Sequence, residues 1–165
     1  MGALFLFTSQ GIVFIHEGQE WARSKVIAAT TVPDKNVGIL DHNSYEKDNE
    51  TNWLNWQEKE LNQELVNYYK GLIELRKQFL AFHHSRPKDF AFLDLSIQPA
   101  AGYLLQNKFL VILNGNSRKP VIQSLPPGDW HILANEAIVT PEGAKIVTGK
   151  IKVAPTSGVI LRQSE

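Results

Sequence analysis

One stretch, residues 11–25 (GIVFIHEGQEWARSK), constrains the fold of this chain more than any other. It begins with an apolar run, Ile12 to Ile15, and becomes abruptly polar at His16. A short β-branched and aromatic run that ends in polar groups and a glycine is typical of a buried strand that delivers side chains to a surface. In a parallel α/β barrel, functional sites lie at the carboxyl ends of the strands. The stretch therefore predicts a strand of such a sheet over residues 11–15.

Composition limits the classes of protein and of partner. The 165 residues suffice for one ordinary domain or two small ones. Lys+Arg and Asp+Glu both number 17, and this zero net charge favours neither nucleic acid nor a membrane surface as partner. The chain has no cysteine, which excludes disulfides, thiolate metal sites and a cysteine nucleophile. No apolar run approaches the roughly 18 residues of a membrane span, and residues 1–4 do not resemble a signal peptide, so localisation stays open.

The residues before the strand predict a buried helix. Ala3 to Phe7 is continuously apolar and starts without a capping residue, and Gly11 is the expected helix-ending glycine. The uncapped start favours the tail of a longer protein, and the alternative is a short native N-terminal helix. Helix, glycine, strand and polar loop make half of an α/β unit, which needs further strands to complete a sheet.

A long polar stretch without periodicity, residues 21–56, comes before the clearest helix. Its three Trp and one Tyr argue against disorder, and a loop of this length is often functional. From Lys59 to Phe82, apolar residues recur at spacings of four and three, which predicts one apolar helix face. That face is predicted to contain Leu61, Leu65, Tyr68, Leu72, Leu75 and Phe79.

After His84 the helical period gives way to short strands, and we predict a domain boundary between residues 84 and 85. Proline, glycine and asparagine turns separate the strand candidates. The candidates are residues 90–95, 102–106, 109–113, 120–125, 130–133, 145–153 and 159–162. Short strands at about ten-residue spacing predict an antiparallel β-sandwich.

The most concentrated polar cluster is His16, Glu17 and Glu20. Two carboxylates near a strand end could act as an acid/base pair, or could bind a metal together with His16, but the spacing matches no zinc signature. In the alternative, the loop backbone and the cations of Arg23 and Lys25 satisfy these side chains. The pair His83–His84 lacks a third ligand and predicts a solvated helix end. We predict neither a metal site nor a cofactor.

A second cluster combines amides, a carboxylate and aromatic rings in one loop. Its members are Asn43, Tyr45, Asp48, Asn52, Trp53 and Trp56. Sugars offer hydroxyls to amide and carboxylate groups, and apolar ring faces to Trp and Tyr. The cluster is therefore suited to binding a polyol, and the alternative is a packed loop that its aromatic side chains anchor.

Several motifs follow one another in a fixed order. After residues 11–25 come Asn43-Ser44-Tyr45, residues 48–56 (DNETNWLNW) and residues 69–77 (YKGLIELRK). Residues 110–114 (LVILN) and 125–130 (LPPGDW) complete the series. In sequence and order these motifs resemble the eighth strand, its loop, the last barrel helix and the C-terminal β domain of starch-debranching enzymes of glycoside hydrolase family 13, the pullulanase and isoamylase group.

The chain departs from the family pattern at three places. Val13 stands where the family has proline, Glu17 stands where pullulanases have a small residue, and residues 26–41 lengthen the loop. The resemblance implies a retaining mechanism with an aspartate nucleophile, a glutamate acid/base and a stabilising aspartate on the fourth, fifth and seventh strands. No carboxylate of this chain matches those positions, so we assign no catalytic residue.

The fold class that we expect is an α+β fragment. Residues 1–84 would be the last helix-strand-helix part of a (β/α)8 barrel. Residues 85–165 would be an all-β antiparallel sandwich, the C-terminal domain. The barrel part, without its neighbours, would pack on the sandwich, self-associate or fray.

The function that the resemblance implies is that of the C-terminal part of a pullulanase-like enzyme. Such an enzyme hydrolyses α-1,6 bonds in α-glucans such as pullulan, glycogen and starch, and this chain alone would be inactive. The expected substrate contacts are Asn43, Tyr45, Asp48 and Asn52. The alternative, from another class, is a non-catalytic carbohydrate-binding or interaction module, for which Tyr103 and Trp130 would be the aromatic platforms.

Overall fold

The computed structural model describes residues 1–30 and 34–164, so residues 31–33 of the long loop and Glu165 lie outside the described part. Two compact units are formed, the first by residues 1–14 and 68–165 and the second by residues 15–67. The helices are α1 (Gly2–Thr8), α2 (Trp56–Leu61), α3 (Gln63–Gln78) and α4 (Ala81–His84). Short 3-10 turns cover Gln19–Trp21 and Pro87–Asp89.

Eight strands lie in the part of the chain after residue 89. They are β1 (Phe90–Phe92), β2 (Ala100–Leu105), β3 (Phe109–Asn114), β4 (Val121–Ser124), β5 (Trp130–Ala134), β6 (Ile146–Val147), β7 (Lys150–Val153) and β8 (Ser157–Gln163). Six strands form one sheet in the order β1-β2-β3-β8-β5-β6, and β4 pairs with β7. All pairs are antiparallel. The predicted antiparallel strands are therefore confirmed, with the 145–153 candidate divided in two at Thr148–Gly149.

The core of the sandwich lies between the two sheets. Alternate residues of β3, β5 and β8 meet buried residues of β4 and β7 there, as the period of two along a strand requires. The buried members include Leu110, Ile112, Val121, Trp130, Ile132, Val153, Val159 and Leu161. Trp130 is fully buried and donates its indole N–H to the carbonyl of Pro126 at 3.1 Å.

Helices cover the opposite face of the six-stranded sheet. Phe79 and Phe82 pack on Phe109 of β3, with ring centroids 5.1 and 5.0 Å apart. A Cβ built on Gly158 of β8 would lie 2.9 Å from Leu4 Cδ1, so α1 approaches the strand closely and a larger residue there would displace the Leu4 side chain. Because both faces are covered, every residue of β3 is buried.

Two predicted elements differ in the structure. Residues 11–15 are not a strand, and the Ile12 and Phe14 side chains are 87% and 81% exposed. A strand needs at least one neighbouring strand to pair with its backbone, and the described residues supply none. Helix α1 ends at Thr8 rather than near Gly11, because the backbone of Ser9 is extended, with ψ of 145°.

The predicted helix over residues 59–82 is present but interrupted twice, at Asn62, whose side chain donates to the Glu58 carbonyl at 3.0 Å, and at residues 79–80. Leu61, predicted on the apolar face, is 84% exposed. Tyr103 and Trp130, predicted as aromatic platforms, are 8% and 0% exposed and belong to the cores on the two faces of the sheet. None of the helices in the described ranges is long and apolar enough to cross a membrane.

Candidate functional site

The polar segment after Ile15 folds into a tight turn in the second unit. The backbone N–H of Gln19 donates to the His16 carbonyl at 2.9 Å, and a 3-10 turn follows. Gly18 has φ +89, and a Cβ at this position would lie 2.6 Å from Cβ and Cδ of Arg23. Only glycine fits this left-handed backbone beneath the arginine side chain.

Arg23 links this turn to the loop that carries the second cluster. Its guanidinium donates to the carbonyl of Glu17 at 3.3 Å and to the carbonyl of Asn52. The expected pairing of Arg23 with the Glu20 carboxylate is wrong, because the guanidinium is used on backbone carbonyls. Apart from the short separation of Gly18 and Arg23 along the chain, nothing in the sequence indicated that Arg23 would bind backbone carbonyls.

Four buried side-chain atoms in this region have no hydrogen-bond partner among residues 1–30 and 34–164. They are Glu20 Oε2, Trp21 Nε1, Arg23 Nε and Glu58 Oε2. His16 Nδ1 lies 3.2 Å from the Glu17 carbonyl oxygen, and the side chain is exposed. The loop backbone therefore contacts His16, as the alternative interpretation expects. The Oε2 atom of Glu20 does not fit that interpretation, because it has no partner in the described residues.

Asn52 organises the loop over residues 43–52. Its Nδ2 donates to the carbonyls of Ser44, at 2.5 Å, and Lys47, and its Oδ1 accepts from the Ser44 hydroxyl at 2.8 Å. Thr51, which is almost fully buried, accepts at its hydroxyl from the Ala28 backbone N–H at 3.0 Å. The Asn52 amide is thus used inside the loop, which gives this predicted sugar contact a structural role.

The other three predicted contacts point to solvent on the same loop. Asn43 and Asp48 are exposed, and the Tyr45 ring is 78% exposed. The Tyr45 hydroxyl donates to Glu46 Oε1 at 2.7 Å, and this hydrogen bond raises the pKa of Tyr45. The loop therefore presents an exposed ring, an amide and a carboxylate to solvent, and hydrogen bonds of Asn52 hold the loop beneath them.

Charge and ring contacts stiffen the second unit. Lys47 forms a 2.5 Å ion pair with Asp41, and the hydrogen bond from Lys47 is the main reason that the pKa of Asp41 is lowered. The rings of Trp21 and Trp56 lie 5.2 Å apart at 38°, and Lys59 lies over Trp56. Trp53 and Trp56 are nevertheless 61% and 57% exposed, so of the cluster's aromatic residues only Trp56 makes a ring contact within the described ranges, and the packing alternative remains a prediction.

A surface cavity of about 410 Å³ borders the same loop at Lys47 and Asn49 but contains none of the four predicted contacts. It is lined by Ile27, Ala28, Thr30, Asp34, Lys35, Asn36, Lys47 and Asn49. Within the described ranges, no group of three His, Cys, Asp or Glu residues is arranged to bind a metal ion.

Comparisons with known proteins place the chain beside pullulanases. No protein-family model matches it. Over 82 residues it is 35% identical to the pullulanase of Bacillus subtilis strain 168, which covers 50% of this chain and 10% of that protein. The chain thus spans only a small part of the length of the curated relative.

Solved structures agree with the sequence match. The pullulanase of Bacillus acidopullulyticus superposes with a TM-score of 0.80 and 25% identity, over 98% of this chain and 20% of that one. The pullulanase of Anoxybacillus sp. LM18-11 complexed with maltotetraose gives 0.74 and 24%, over 98% and 22% of the two chains. The type I pullulanase of Bacillus subtilis strain 168 complexed with maltose gives 0.72 and 24%, over 99% and 22%. The predicted resemblance to pullulanase-type starch-debranching enzymes is therefore confirmed, in sequence over 82 residues and in fold over nearly the whole chain.

Proposed function

We propose that this chain is the C-terminal part of an α-glucan debranching glycoside hydrolase that cleaves α-1,6 bonds with retention of configuration. The observation that carries the proposal is the pullulanase match, 35% identity over 82 residues together with a shared fold over 98% of the chain. The chain spans about a fifth of the structurally matched enzyme, so the activity belongs to a longer protein in this proposal.

Residues 1–84 are proposed to complete the barrel of that enzyme and residues 85–165 to form its C-terminal β domain. The exposed side chains and unpaired backbone of residues 12–14 support the assignment of residues 1–84 to the barrel. Their side chains are apolar and mostly exposed, and no backbone hydrogen bond within the described chain engages them. Unpaired N–H and C=O groups beside exposed apolar side chains are what a barrel strand presents when its neighbours are absent.

The loop over residues 43–52 is proposed to form part of the wall of the glucan cleft. The exposed Tyr45 ring can stack on a sugar face, while Asn43 and Asp48 can bond to hydroxyls. Asn52, also a proposed sugar contact, holds the loop in shape through Ser44 and Lys47. Two of the solved pullulanases are complexes with maltotetraose and maltose, which are ligands of this chemical class.

The chain by itself is proposed to be inactive. Retaining glycosidases need two carboxyl groups about 5 Å apart across the scissile bond. The resemblance places these groups on strands that precede the matched part, and none of the carboxylates of this chain corresponds to them. Pullulan incubated with the repurified chain should therefore release no reducing sugar above a boiled control.

The exposed apolar side chains also lead us to propose that the isolated chain self-associates. Ile12 and Phe14 together present a β-branched and an aromatic surface to solvent. Sedimentation velocity over a concentration series should show a reversible shift to dimers. An Ile12→Lys/Phe14→Lys double variant should sediment as a monomer, and a wild-type chain that stays monomeric at all concentrations would contradict this proposal.

The decisive experiment is to read the coding DNA upstream of Met1 and to express the whole open frame. We expect several hundred codons that encode the two aspartates and one glutamate of the barrel. In that full-length enzyme, Tyr45→Ala should lower kcat/KM on pullulan about tenfold, and Tyr45→Phe should lower it much less. Val37→Ala, at another exposed loop position, is the matched control. A stop codon and a ribosome-binding site directly before Met1 would overturn the proposal.

A further inference from the structure

An aromatic pair, half-buried Phe90 and exposed Phe92, lies on β1, the edge strand of the six-stranded sheet. Phe90 and Phe92 have ring centroids 6.2 Å apart and planes only 18° from parallel. Phe92 is 80% exposed, although a phenyl ring gains free energy by leaving water. The described fold covers Phe90 in part and leaves most of Phe92 open to solvent.

Tyr103 of the neighbouring strand supports both rings from below. Its ring centroid lies 5.3 Å from that of Phe90 and 6.2 Å from that of Phe92. Tyr103 is buried and donates its hydroxyl to the Thr8 carbonyl at 3.2 Å. Because this support is fixed by packing and by a hydrogen bond, a ligand would lose little free energy in ordering the rings.

Polar groups adjoin Phe90, the member of the pair nearer to the turn at residues 106–107. A cavity of about 330 Å³ is lined by Lys88, Asp89, Phe90, Ala91, Gln106 and Asn107. Gln106 and Asn107 both have left-handed backbones, with φ of 52° and 53°, and both side chains are exposed. The structure describes no hydrogen-bond partner for the Asn107 amide, whereas Gln106 donates to the Ser85 hydroxyl at 2.9 Å.

The charges of this cavity select the kind of ligand. One cation, Lys88, and one anion, Asp89, give its lining no net charge, and Asp89 accepts from the Arg86 backbone N–H at 2.8 Å. A phosphate-bearing or polyanionic ligand would need a net positive lining. A neutral ligand with apolar ring faces and many hydroxyls suits stacked phenyl rings beside an amide that can both donate and accept.

We infer that Phe90, Phe92 and Asn107 form a binding surface for a neutral α-glucan chain on the β domain. The choice of glucan among neutral polyols rests on the proposed function, since an enzyme that acts on polymeric glucan meets this ligand at high local concentration. The two rings bind successive sugar faces, and the Asn107 amide bonds to sugar hydroxyls.

The test is affinity electrophoresis of the complete 165-residue chain in gels containing soluble amylopectin. The wild-type chain should be retarded. Phe92→Ala should weaken binding about tenfold, as expected when a central aromatic contact is truncated. Asn107→Ala should weaken glucan binding severalfold, and the Phe92→Trp variant should bind at least as tightly as the wild type. Phe92 is too exposed for its truncation to unfold the chain, and circular dichroism checks this for each variant.

Control measurements show whether retardation depends on this surface. Ile122→Ala removes another exposed apolar side chain, 64% exposed on the smaller sheet, and should bind as the wild type does. Equal retardation by carboxymethyl cellulose would mean unspecific adhesion and would overturn the inference. So would an unretarded wild-type chain, or a dimer in sedimentation velocity that Phe92→Ala abolishes, because the surface would then bind a second copy.

The outcome for this surface is distinguishable from the outcome for the proposed function. If Tyr45→Ala abolishes retardation and Phe92→Ala does not, glucan binds the loop over residues 43–52. That result rejects the inference about Phe92 and leaves the proposed function supported. If retardation depends on Phe92 but a stop codon directly precedes Met1, the glucan-binding surface is supported and the proposal of a debranching enzyme is rejected.

Discussion

Arg76 should decide whether helix α1 stays packed on the sheet. Its guanidinium donates to four backbone carbonyls, those of Phe7 at 2.9 Å, Ser9 at 2.7 Å, Phe82 at 2.5 Å and Gly11 at 2.7 Å. Three of these carbonyls belong to the end of α1 and the segment that follows it. The Phe7 carbonyl is one of those that a helix leaves without an intrahelical partner at its end, and Ser9 and Gly11 lie beyond the end of α1.

Three of the four hydrogen bonds are partly buried, and the bond to Gly11 is exposed. The three partly buried acceptors share Nη1, which carries two hydrogens, so at about 1 kcal/mol for each hydrogen Arg76→Ala should lower the free energy of unfolding by about 2 kcal/mol. Arg76→Lys should recover only part of this loss, because the lysine side chain is shorter and its single nitrogen replaces Nη1 but not the Nη2 bond to Gly11. The loss should appear first as fraying of residues 2–11.

Two measurements test this. Urea unfolding gives the free-energy change, and hydrogen exchange reports on the amides of α1 (Gly2–Thr8). Lys77→Ala is the matched control, since Lys77 is the adjacent, exposed cation of the same helix. If Arg76→Ala unfolds within about 0.5 kcal/mol of Lys77→Ala, and the α1 amides keep their protection, the reasoning is refuted.

Three further predictions concern other contacts. Asn52→Ala removes three hydrogen bonds inside its loop, so it should destabilise that loop by about 2 kcal/mol and speed limited proteolysis there. Gly158→Ala places a Cβ 2.9 Å from Leu4 Cδ1 and should cost about 1–3 kcal/mol in urea unfolding. Burial, and secondarily Glu136, raises the pKa of Tyr68 to about 12, so folding favours the neutral phenol. This contribution to the free energy of unfolding is present below about pH 10 and is lost as the pH rises through about 12. The Tyr68→Phe variant should therefore lose less stability than the wild type between these pH values.

Each of these has a control or a contrary outcome. Asn43→Ala, at an exposed position of the same loop, should leave the rate of proteolysis unchanged. Gly2→Ala, where a Cβ would have no neighbour within 4 Å, should be neutral or stabilising. An alkaline unfolding curve that is identical for the wild type and Tyr68→Phe would show that this phenol does not contribute.

Local patterns in the sequence were sufficient for the strands of the sandwich. Alternation of apolar and polar residues, with proline and glycine turns between runs, depends on contacts within a few residues. Strands β2 to β5 and β8 accordingly lie close to their predicted positions. The resemblance to pullulanases was also readable from short motifs alone, and the sequence and structure comparisons confirm it.

The tertiary structure decided which of these residues are buried and which groups pair. An apolar run such as residues 12–15 becomes a strand only when other strands supply hydrogen bonds, and within the described chain none does. Period-two alternation leaves open whether the outward side chains meet solvent or a helix, so the burial of Tyr103 and the exposure of Phe92 could not be predicted. Arg23 and Arg76 bind backbone carbonyls rather than carboxylates, because carbonyl positions follow from the folded path of the chain and not from residue type.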